Sequence, residues 1–351
     1  MPFEVIPVQA DLPPGRKPKD EDFLETEEGH LFRVLGYLHP PDRYTAYLHY
    51  ERCGPAGSGP KAGYRKVPRR FNAAGVAETM RYLAQAYPDY IYDCPVQGIR
   101  LSMVPRRRVR RYLIPEAQLQ TVVQSPRDAL EELARTLALS LAEAAGVPLA
   151  ALGITGSVLA CIHDPETSDI DLVSYGREQA LRLKAVLSGR RPEGLEPVEE
   201  ERLAHWVWEL THDSPLTTEE AANLVSRRWN CGRYGGRFFS LWPVRADHEI
   251  TETYGQRTYR SLRQGRLRAT VRGASEAMFL PAAYVIDRPT VLDGPRVEIT
   301  EIVAYDMRFV DAFDEGMVIE AAGRVEAVGD EGYRLVVGAE ELAGQDYIRP
   351  L

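Results

Sequence analysis

Hydrophobic residues along the 351-residue chain recur with two different periods, helical and alternating, which divide it into three regions. Between residues 22 and 50, apolar and aromatic positions flank a Pro-Pro-Asp turn, a pattern that is typical of a β-hairpin. Residues 72–87 have apolar side chains at helical spacing, and residues 98–104 resemble a strand. We therefore expect a small α+β module over residues 1–118.

The region from residue 119 to residue 250 combines amphipathic helices with short apolar strands. A strong helix is predicted to begin at Ser125-Pro126, because proline is favoured at the first helical position. Further strands are predicted at 149–155, 169–175 and 237–244, and further helices at 177–189, 200–211 and 217–229. The third region, 251–351, alternates apolar and polar residues, with glycine or proline every several positions. That spacing predicts an antiparallel β-barrel.

One stretch is long and uncharged enough to suggest a membrane span. Residues 144–162 comprise 19 positions without a charge. Gly-Val-Pro at 146–148 and Gly-Ser at 156–157 interrupt the stretch, so we expect a helix end, a buried strand and a second helix start. The four cysteines are scattered without a CxxC pair, which favours reduced thiols and a cytoplasmic location with no membrane partner.

The formal net charge of −8 excludes a basic coat over the whole protein, but it does not exclude local basic patches. Only five of the 43 basic residues are lysines. Arginines cluster at 64–71, 104–111 and 255–273, and the densest cluster consists of Arg106, Arg107, Arg108, Arg110 and Arg111. Arginines beside aromatic residues suit the phosphates and bases of a polynucleotide. Pairing with surface acids is the alternative interpretation of these clusters.

The segment from Gly153 to Val173 contains the chemistry that is most specific in the sequence. A buried strand ends in Gly156-Ser157 at a helix start, where backbone N–H groups favour a phosphate. After a gap of eleven residues, Asp169-Ile-Asp171 begins the next strand. Alternation places both carboxylates on one face, about 7 Å apart along the strand, where they can converge on shared magnesium ions.

This arrangement, Gly-Ser followed after eleven residues by Asp-Ile-Asp-Leu-Val, resembles the signature of the DNA polymerase β-like nucleotidyltransferase superfamily. The whole chain also resembles archaeal and thermophile proteins that are described as predicted nucleotidyltransferases. The resemblance implies an α+β fold with a mixed sheet flanked by helices over 119–250. It also implies Asp169 and Asp171 as Mg²⁺ or Mn²⁺ ligands, with Gly156, Ser157 and Ser168 at the nucleoside triphosphate.

The sequence departs from this family at the third carboxylate, which active members carry on a later strand. The corresponding strand here is 237–243, and Ser240 occupies the position where the acid is expected. The nearest acids are Asp247 and Glu249, just past the strand. We assign Asp247 as the candidate third catalytic acid, because such a group normally activates the attacking hydroxyl.

These residues lead to two principal hypotheses about function. The first is a Mg²⁺-dependent nucleotidyltransferase that transfers a nucleoside monophosphate from a nucleoside triphosphate to an acceptor, with RNA or another polynucleotide favoured. The alternative is a non-catalytic nucleic-acid- or nucleotide-binding protein on the same fold. A small-molecule or protein acceptor is a third interpretation, against which the arginine clusters count, and the sequence leaves the oligomeric state open.

Overall fold

The computed structural model of the protein describes residues 12–54, 63–67, 73–189 and 191–351. Arg69 and Arg70 of the first arginine cluster lie outside these residues. The described residues form a mixed α+β structure that divides into two compact units. Unit 1 contains the described residues up to Val67 together with Ser102–Val198 and Trp229–Thr251, and unit 2 contains the rest.

The described residues contain eighteen strands and seven α-helices. The strands are β1 Phe23–Thr26, β2 Leu31–Val34, β3 Arg43–Arg52, β4 Tyr64–Lys66, β5 Ile91–Cys94, β6 Ile99–Pro105, β7 Val109–Leu113, β8 Leu152–Ile154, β9 Ile170–Tyr175, β10 Leu195–Glu196, β11 Cys231–Tyr234, β12 Arg237–Val244, β13 Tyr259–Glu276, β14 Ala282–Asp293, β15 Ile299–Ala304, β16 Val318–Val328, β17 Gly332–Val337 and β18 Tyr347–Pro350. The helices are α1 Ala73–Ala86, α2 Pro115–Gln124, α3 Ala129–Ala145, α4 Gly156–Leu159, α5 Arg177–Ser188, α6 Glu200–Asp213 and α7 Thr218–Ser226.

The first sheet of unit 1 contains the predicted hairpin. Strands β2 and β3 pair antiparallel, with Leu31 opposite Tyr50 and Val34 opposite Ala46, so the hairpin prediction is confirmed. The order of strands in this unit is β6-β3-β2-β1-β7, with β4 added to β3. Phe23 and Leu31 are buried in the apolar core on this sheet.

The second sheet of unit 1 is mixed and has the order β10-β11-β12-β9-β8. Strands β9 and β12 run parallel, whereas the remaining pairs are antiparallel. Helices α2, α3 and α5 contribute their apolar side chains to one core with these strands, among them Leu119, Leu137 and Leu183. A mixed sheet with packed helices in this region was expected.

Helix α3 begins later than the sequence pattern predicts. Asp128 is its N-cap, and the Asp128 carboxylate accepts hydrogen bonds from the N–H groups of Leu130 and Glu131. The prediction that Pro126 occupies the first helical position is therefore wrong, because a capping aspartate two residues later satisfies the first free N–H groups. Gly146 ends the helix in the left-handed conformation, at φ +61°.

Unit 2 contains a partly closed ring of strands at its C-terminal end. The strands follow the order β13-β14-β15-β17-β16, β13 pairs again with β16, and β18 adds to β16. The pair β15–β17 is parallel, so the prediction of a purely antiparallel barrel is wrong at this pair. The apolar side chains of α6 and α7, including Leu210 and Leu224, pack into the core of the ring.

The uncharged stretch 144–162 is divided as the sequence predicts. It contains the end of α3, a 3-10 turn at Leu149–Ala151, the buried strand β8 and the short helix α4. Among the described residues, no helix has both the length and the apolar character that a membrane crossing requires.

Candidate functional site

The parallel pairing of β9 and β12 brings Asp171 and Ser240 together in register. The Ser240 hydroxyl donates a hydrogen bond of 2.6 Å to Oδ1 of Asp171. The indole Nε1 of Trp242, two residues further along the same strand face, donates to the Ser240 hydroxyl over 3.0 Å. This chain of donors holds the Asp171 carboxylate in one orientation near the start of β9.

Gly156 lies against the same carboxylate. Its φ is +65°, and a Cβ atom built on it would lie 2.6 Å from Oδ2 of Asp171. The neighbouring Thr155 N–H donates to the Asp171 carbonyl oxygen over 2.8 Å. Glycine is therefore required here for two reasons, its backbone conformation and the close approach of a carboxylate. The two ends of the Gly-Ser and Asp-x-Asp motif therefore meet at Gly156 and Asp171.

The other residues of the motif have separate environments. Ser157 is 5% exposed and lies in α4, which comprises only four residues, so the helix macrodipole expected at this point is small. The Ser168 hydroxyl accepts the Asp164 N–H over 2.9 Å and thereby closes the loop before β9. Asp169 is exposed and immediately precedes β9.

Three polar residues on or just before the first sheet of unit 1 interact electrostatically with Asp171, and the sequence patterns did not identify them. Glu21 precedes β1, and its Oε1 lies 2.8 Å from the Arg33 guanidinium of β2. Burial raises the pKa of Tyr50, and the negative charges of Asp171 and Asp169 raise it further. Tyr50, Asp169 and Asp171 all belong to unit 1. The two aspartate carboxylates therefore lie near the first sheet, which contains no residue of the Gly-Ser and Asp-x-Asp motif.

Glu21 has the most unusual environment of these residues. Its side chain is 7% exposed, and its backbone φ is +70°, which is uncommon for a residue with a Cβ atom. Burial raises the pKa of the Glu21 carboxyl, Arg33 opposes this shift, and Asp171 adds to it. In the sequence, the only sign of this environment is that Glu21 lies in a run of three acids, Asp20-Glu21-Asp22, before an apolar strand.

Asp247 is held elsewhere in unit 1. It lies in a 3-10 turn after β12, and its carboxylate accepts the Lys17 N–H at 2.8 Å and the Lys19 ammonium at 3.0 Å. Partial burial alone would raise the pKa of Asp247, but the hydrogen bonds and positive charges of the N-terminal segment lower it. The structure gives Asp247 these partners, and not the Ser240–Asp171 pair.

Asp128, Glu131 and His163 form a compact group of potential metal ligands, with ligand atoms all within 4.8 Å of one another. His163 Nε2 lies 2.7 Å from Oδ2 of Asp128, and the His163 side chain is 6% exposed. The Arg127 guanidinium and N–H already bind both oxygens of Glu131. We interpret the group as an anchor that attaches the loop between Ser157 and Asp169 to the N-terminus of α3.

The predicted arginine cluster lies in the turn between β6 and β7 and on β7 itself. Arg106 and Arg107 are exposed in a 3-10 turn, and the Arg106 guanidinium lies 4.7 Å from the centre of the Tyr44 ring. The remaining arginines of the cluster are paired with acids of the first sheet: Arg108 with Glu27 and Glu28, and Arg110 and Arg111 with Glu25. The alternative interpretation, pairing with surface acids, is therefore confirmed for Arg108, Arg110 and Arg111.

The oxygen ligands at the start of β9 suit a hard divalent cation. Mg²⁺ prefers oxygen ligands, and carboxylates supply most of them in proteins. Asp171 on β9 and Asp169, just before that strand, supply two carboxylates two residues apart in the chain, and the absent Cβ of Gly156 allows the Asp171 carboxylate to approach the Gly156–Ser157 turn. These residues fit Mg²⁺ or Mn²⁺, which the nucleotidyltransferase resemblance implies.

Comparison with known proteins identifies a similar chain but gives no function. The chain is 27% identical to the uncharacterized protein MJ1086 of Methanocaldococcus jannaschii over 358 aligned residues. The alignment covers 95% of this chain and 99% of that protein. No family model matches the chain, and no solved structure matches it.

Proposed function

We propose that the protein is a Mg²⁺-dependent nucleotidyltransferase that transfers a nucleoside monophosphate from a nucleoside triphosphate to a polynucleotide acceptor, with RNA favoured. The observation that carries this proposal is the contact between Gly156 and the Asp171 carboxylate on a mixed sheet. A Gly-Ser turn and an Asp-x-Asp strand that meet in space are what phosphate and metal chemistry requires of this motif. The four scattered cysteines support a cytoplasmic location for this reaction.

The roles of the residues follow from their positions. Asp169 and Asp171 would hold the cations, which supply charge stabilisation at the triphosphate when they are bound. Ser240 orients the Asp171 carboxylate, and Trp242 orients the Ser240 hydroxyl. The turn at Gly156-Ser157 would place the triphosphate. In the reaction, the acceptor hydroxyl attacks the α-phosphorus, pyrophosphate leaves, and the hydroxyl proton is released.

A transfer assay tests this proposal directly. The full chain is incubated with each labelled nucleoside triphosphate, Mg²⁺ or Mn²⁺, and pooled RNA. We expect label in the RNA and free pyrophosphate, and no transfer by the Asp169→Ala/Asp171→Ala variant. Equal transfer by wild type and variant contradicts the proposal, and so does no transfer with any nucleotide. A labelled small molecule or protein in place of RNA would identify the third class of acceptor.

One observation favours a second function, a non-catalytic RNA- or nucleotide-binding protein on the same fold. The strand position opposite Asp171 holds Ser240 instead of an acid, and Asp247 is engaged by Lys17 and Lys19. This function predicts salt-dependent RNA binding that is unchanged by the double aspartate variant. Loss of RNA binding in that variant would contradict it.

A further inference from the structure

The carboxylate of Glu21 lies beside the turn that carries the nucleotidyltransferase motif. Thr155 connects the two, because its hydroxyl lies 2.7 Å from the Glu21 carbonyl oxygen and 3.4 Å from Glu21 Oε2. The Thr155 N–H donates to the Asp171 carbonyl, and the next residue is Gly156, which contacts the Asp171 carboxylate. One threonine therefore bridges the segment before β1 and strand β9, which carries Asp171.

Arg33 provides positive charge among these acids. It forms an ion pair with Glu21 at 2.8 Å, and its guanidinium lies 4.9 Å from the centre of the Tyr47 ring. Burial alone would lower the pKa of Arg33, but the charges of Glu21, Asp20 and Asp171 contribute to a net increase. The buried Arg33 guanidinium thus interacts electrostatically with both Glu21 and Asp171.

We propose that Glu21 is the third carboxylate of the metal centre, supplied by the segment before β1 in place of an acid on β12. The proposal rests on the proposed function and explains how the site can operate with Ser240 opposite Asp171. In the structure, the Glu21 carboxylate is paired with Arg33. The compact three-ligand group in the described part of the chain consists of Asp128, Glu131 and His163, and not of Glu21 with Asp169 and Asp171. Binding of a divalent cation by Glu21 would then replace its ion pair with Arg33.

The positions of Glu21 and Ser240 make this inference testable by relocating the acid. Glu21→Gln keeps the size of the side chain and removes its charge. Ser240→Asp adds a carboxylate in register with Asp171, where the family carries its third acid. Glu51→Gln is the matched control, because Glu51 is also a buried glutamate of the same sheet, paired with Arg65 instead of Arg33.

The measurement is Mn²⁺ binding to the full chain by isothermal titration calorimetry, without nucleotide. We expect Glu21→Gln to weaken Mn²⁺ binding by at least about tenfold, the lower range for loss of a group that supports a metal site. Glu51→Gln should bind as the wild type does, and Glu21→Gln/Ser240→Asp should bind more tightly than Glu21→Gln. If Glu21→Gln does not fold, Glu21→Asp is measured, and it should also bind more weakly than wild type because its carboxylate is withdrawn.

The outcomes separate this inference from the proposed function. Mn²⁺ affinity that is unchanged in Glu21→Gln, or in Glu21→Asp where that variant is used, overturns the inference alone. It is also overturned if Glu51→Gln weakens binding equally, or if Ser240→Asp restores nothing to Glu21→Gln. Two results overturn the proposed function together with the inference. One is a wild type that does not bind Mn²⁺, and the other is Mn²⁺ binding that Asp171→Asn leaves unchanged.

Discussion

Ser240 stands directly opposite Asp171 in the parallel pair β12–β9 and donates a hydrogen bond to its carboxylate. The Ser240 hydroxyl thus orients the carboxylate of Asp171. Because the hydroxyl also accepts the Trp242 indole N–H, its proton is directed toward Asp171. This relationship leads to the first prediction.

Ser240→Ala should lower the free energy of unfolding by about 1.5–3 kcal/mol, the usual contribution of a hydrogen bond to a charged group. Ser174→Ala is the matched control, because Ser174 is fully buried on the neighbouring strand and its hydroxyl has no hydrogen-bond partner among the described residues. Urea unfolding of the three proteins provides the comparison. Equal destabilisation by both substitutions would contradict a specific role for the Ser240–Asp171 bond.

Gly156→Ala should weaken Mn²⁺ binding and destabilise the protein, because its Cβ would displace the Asp171 carboxylate. Gly36→Ala separates this effect from backbone strain, since Gly36 has a similar φ of +68° with nothing within 4 Å of a built Cβ. Strain alone costs about 1–3 kcal/mol at either position. Calorimetric Mn²⁺ titration should detect a loss in Gly156→Ala only, and a similar loss in Gly36→Ala would refute the steric explanation.

Stability should decrease as the pH rises from about 4 to 7, because burial raises the pKa of Asp20 to about 7. The folded state then binds a proton that the unfolded state has released, so deprotonation favours unfolding. Asp20→Asn should flatten this part of the profile of unfolding free energy against pH. Asp42→Asn is the control, because Asp42 is exposed and Arg43 lowers its pKa, so no loss is expected within this window.

Arg16→Met should destabilise unit 1 by about 3–5 kcal/mol, since it leaves a buried charge uncompensated. Arg16 binds both oxygens of Asp22, which is fully buried, and also binds Glu116. Arg100→Met removes an exposed ion pair with Asp93 and should leave stability nearly unchanged, because water screens such a pair. Chemical denaturation followed by circular dichroism distinguishes the two, and similar midpoints for both variants would contradict the prediction.

Arg106→Ala/Arg107→Ala should weaken RNA binding and reduce its dependence on salt, if these exposed arginines contact phosphates. The slope of log K against log salt should decrease by about 0.7 for each single-strand phosphate contact that is lost. Arg110→Ala/Arg111→Ala is the comparison, because both arginines are paired with Glu25. Fluorescence anisotropy with a labelled RNA at several salt concentrations gives the slopes, and an unchanged slope in Arg106→Ala/Arg107→Ala excludes this turn as a phosphate contact.

The sequence predicted the elements whose evidence is local. The hairpin β2–β3, the strand β9 and the helices α5, α6 and α7 follow from periodicity within one window, and Gly156 with Asp171 follows from a spaced motif. Helix α3 was predicted too early because its start depends on a side-chain cap at Asp128. The parallel pair β15–β17 could not be predicted, because strand order depends on contacts that no single window contains.

Glu21 shows the same limit at the candidate site. Its position depends on the pairing of β1 with β2 and on a hydrogen bond to Thr155, 134 residues away in the chain. No motif marks such a residue, because the chain places it beside Asp171 only after the first sheet has formed. The second sheet alone supplies two carboxylates, and the structure is needed to find a third nearby.

The ring in unit 2 constrains the order of events during synthesis. Strand β17 lies between β15 and β16, although β16 leaves the ribosome before it. The β13–β14 and β14–β15 pairs can form early. Strand β15 lacks its second neighbour until β17, which ends at Val337, has emerged from the ribosome. Truncation before β17 should therefore leave two unpaired strand edges and a nascent chain that is prone to aggregation.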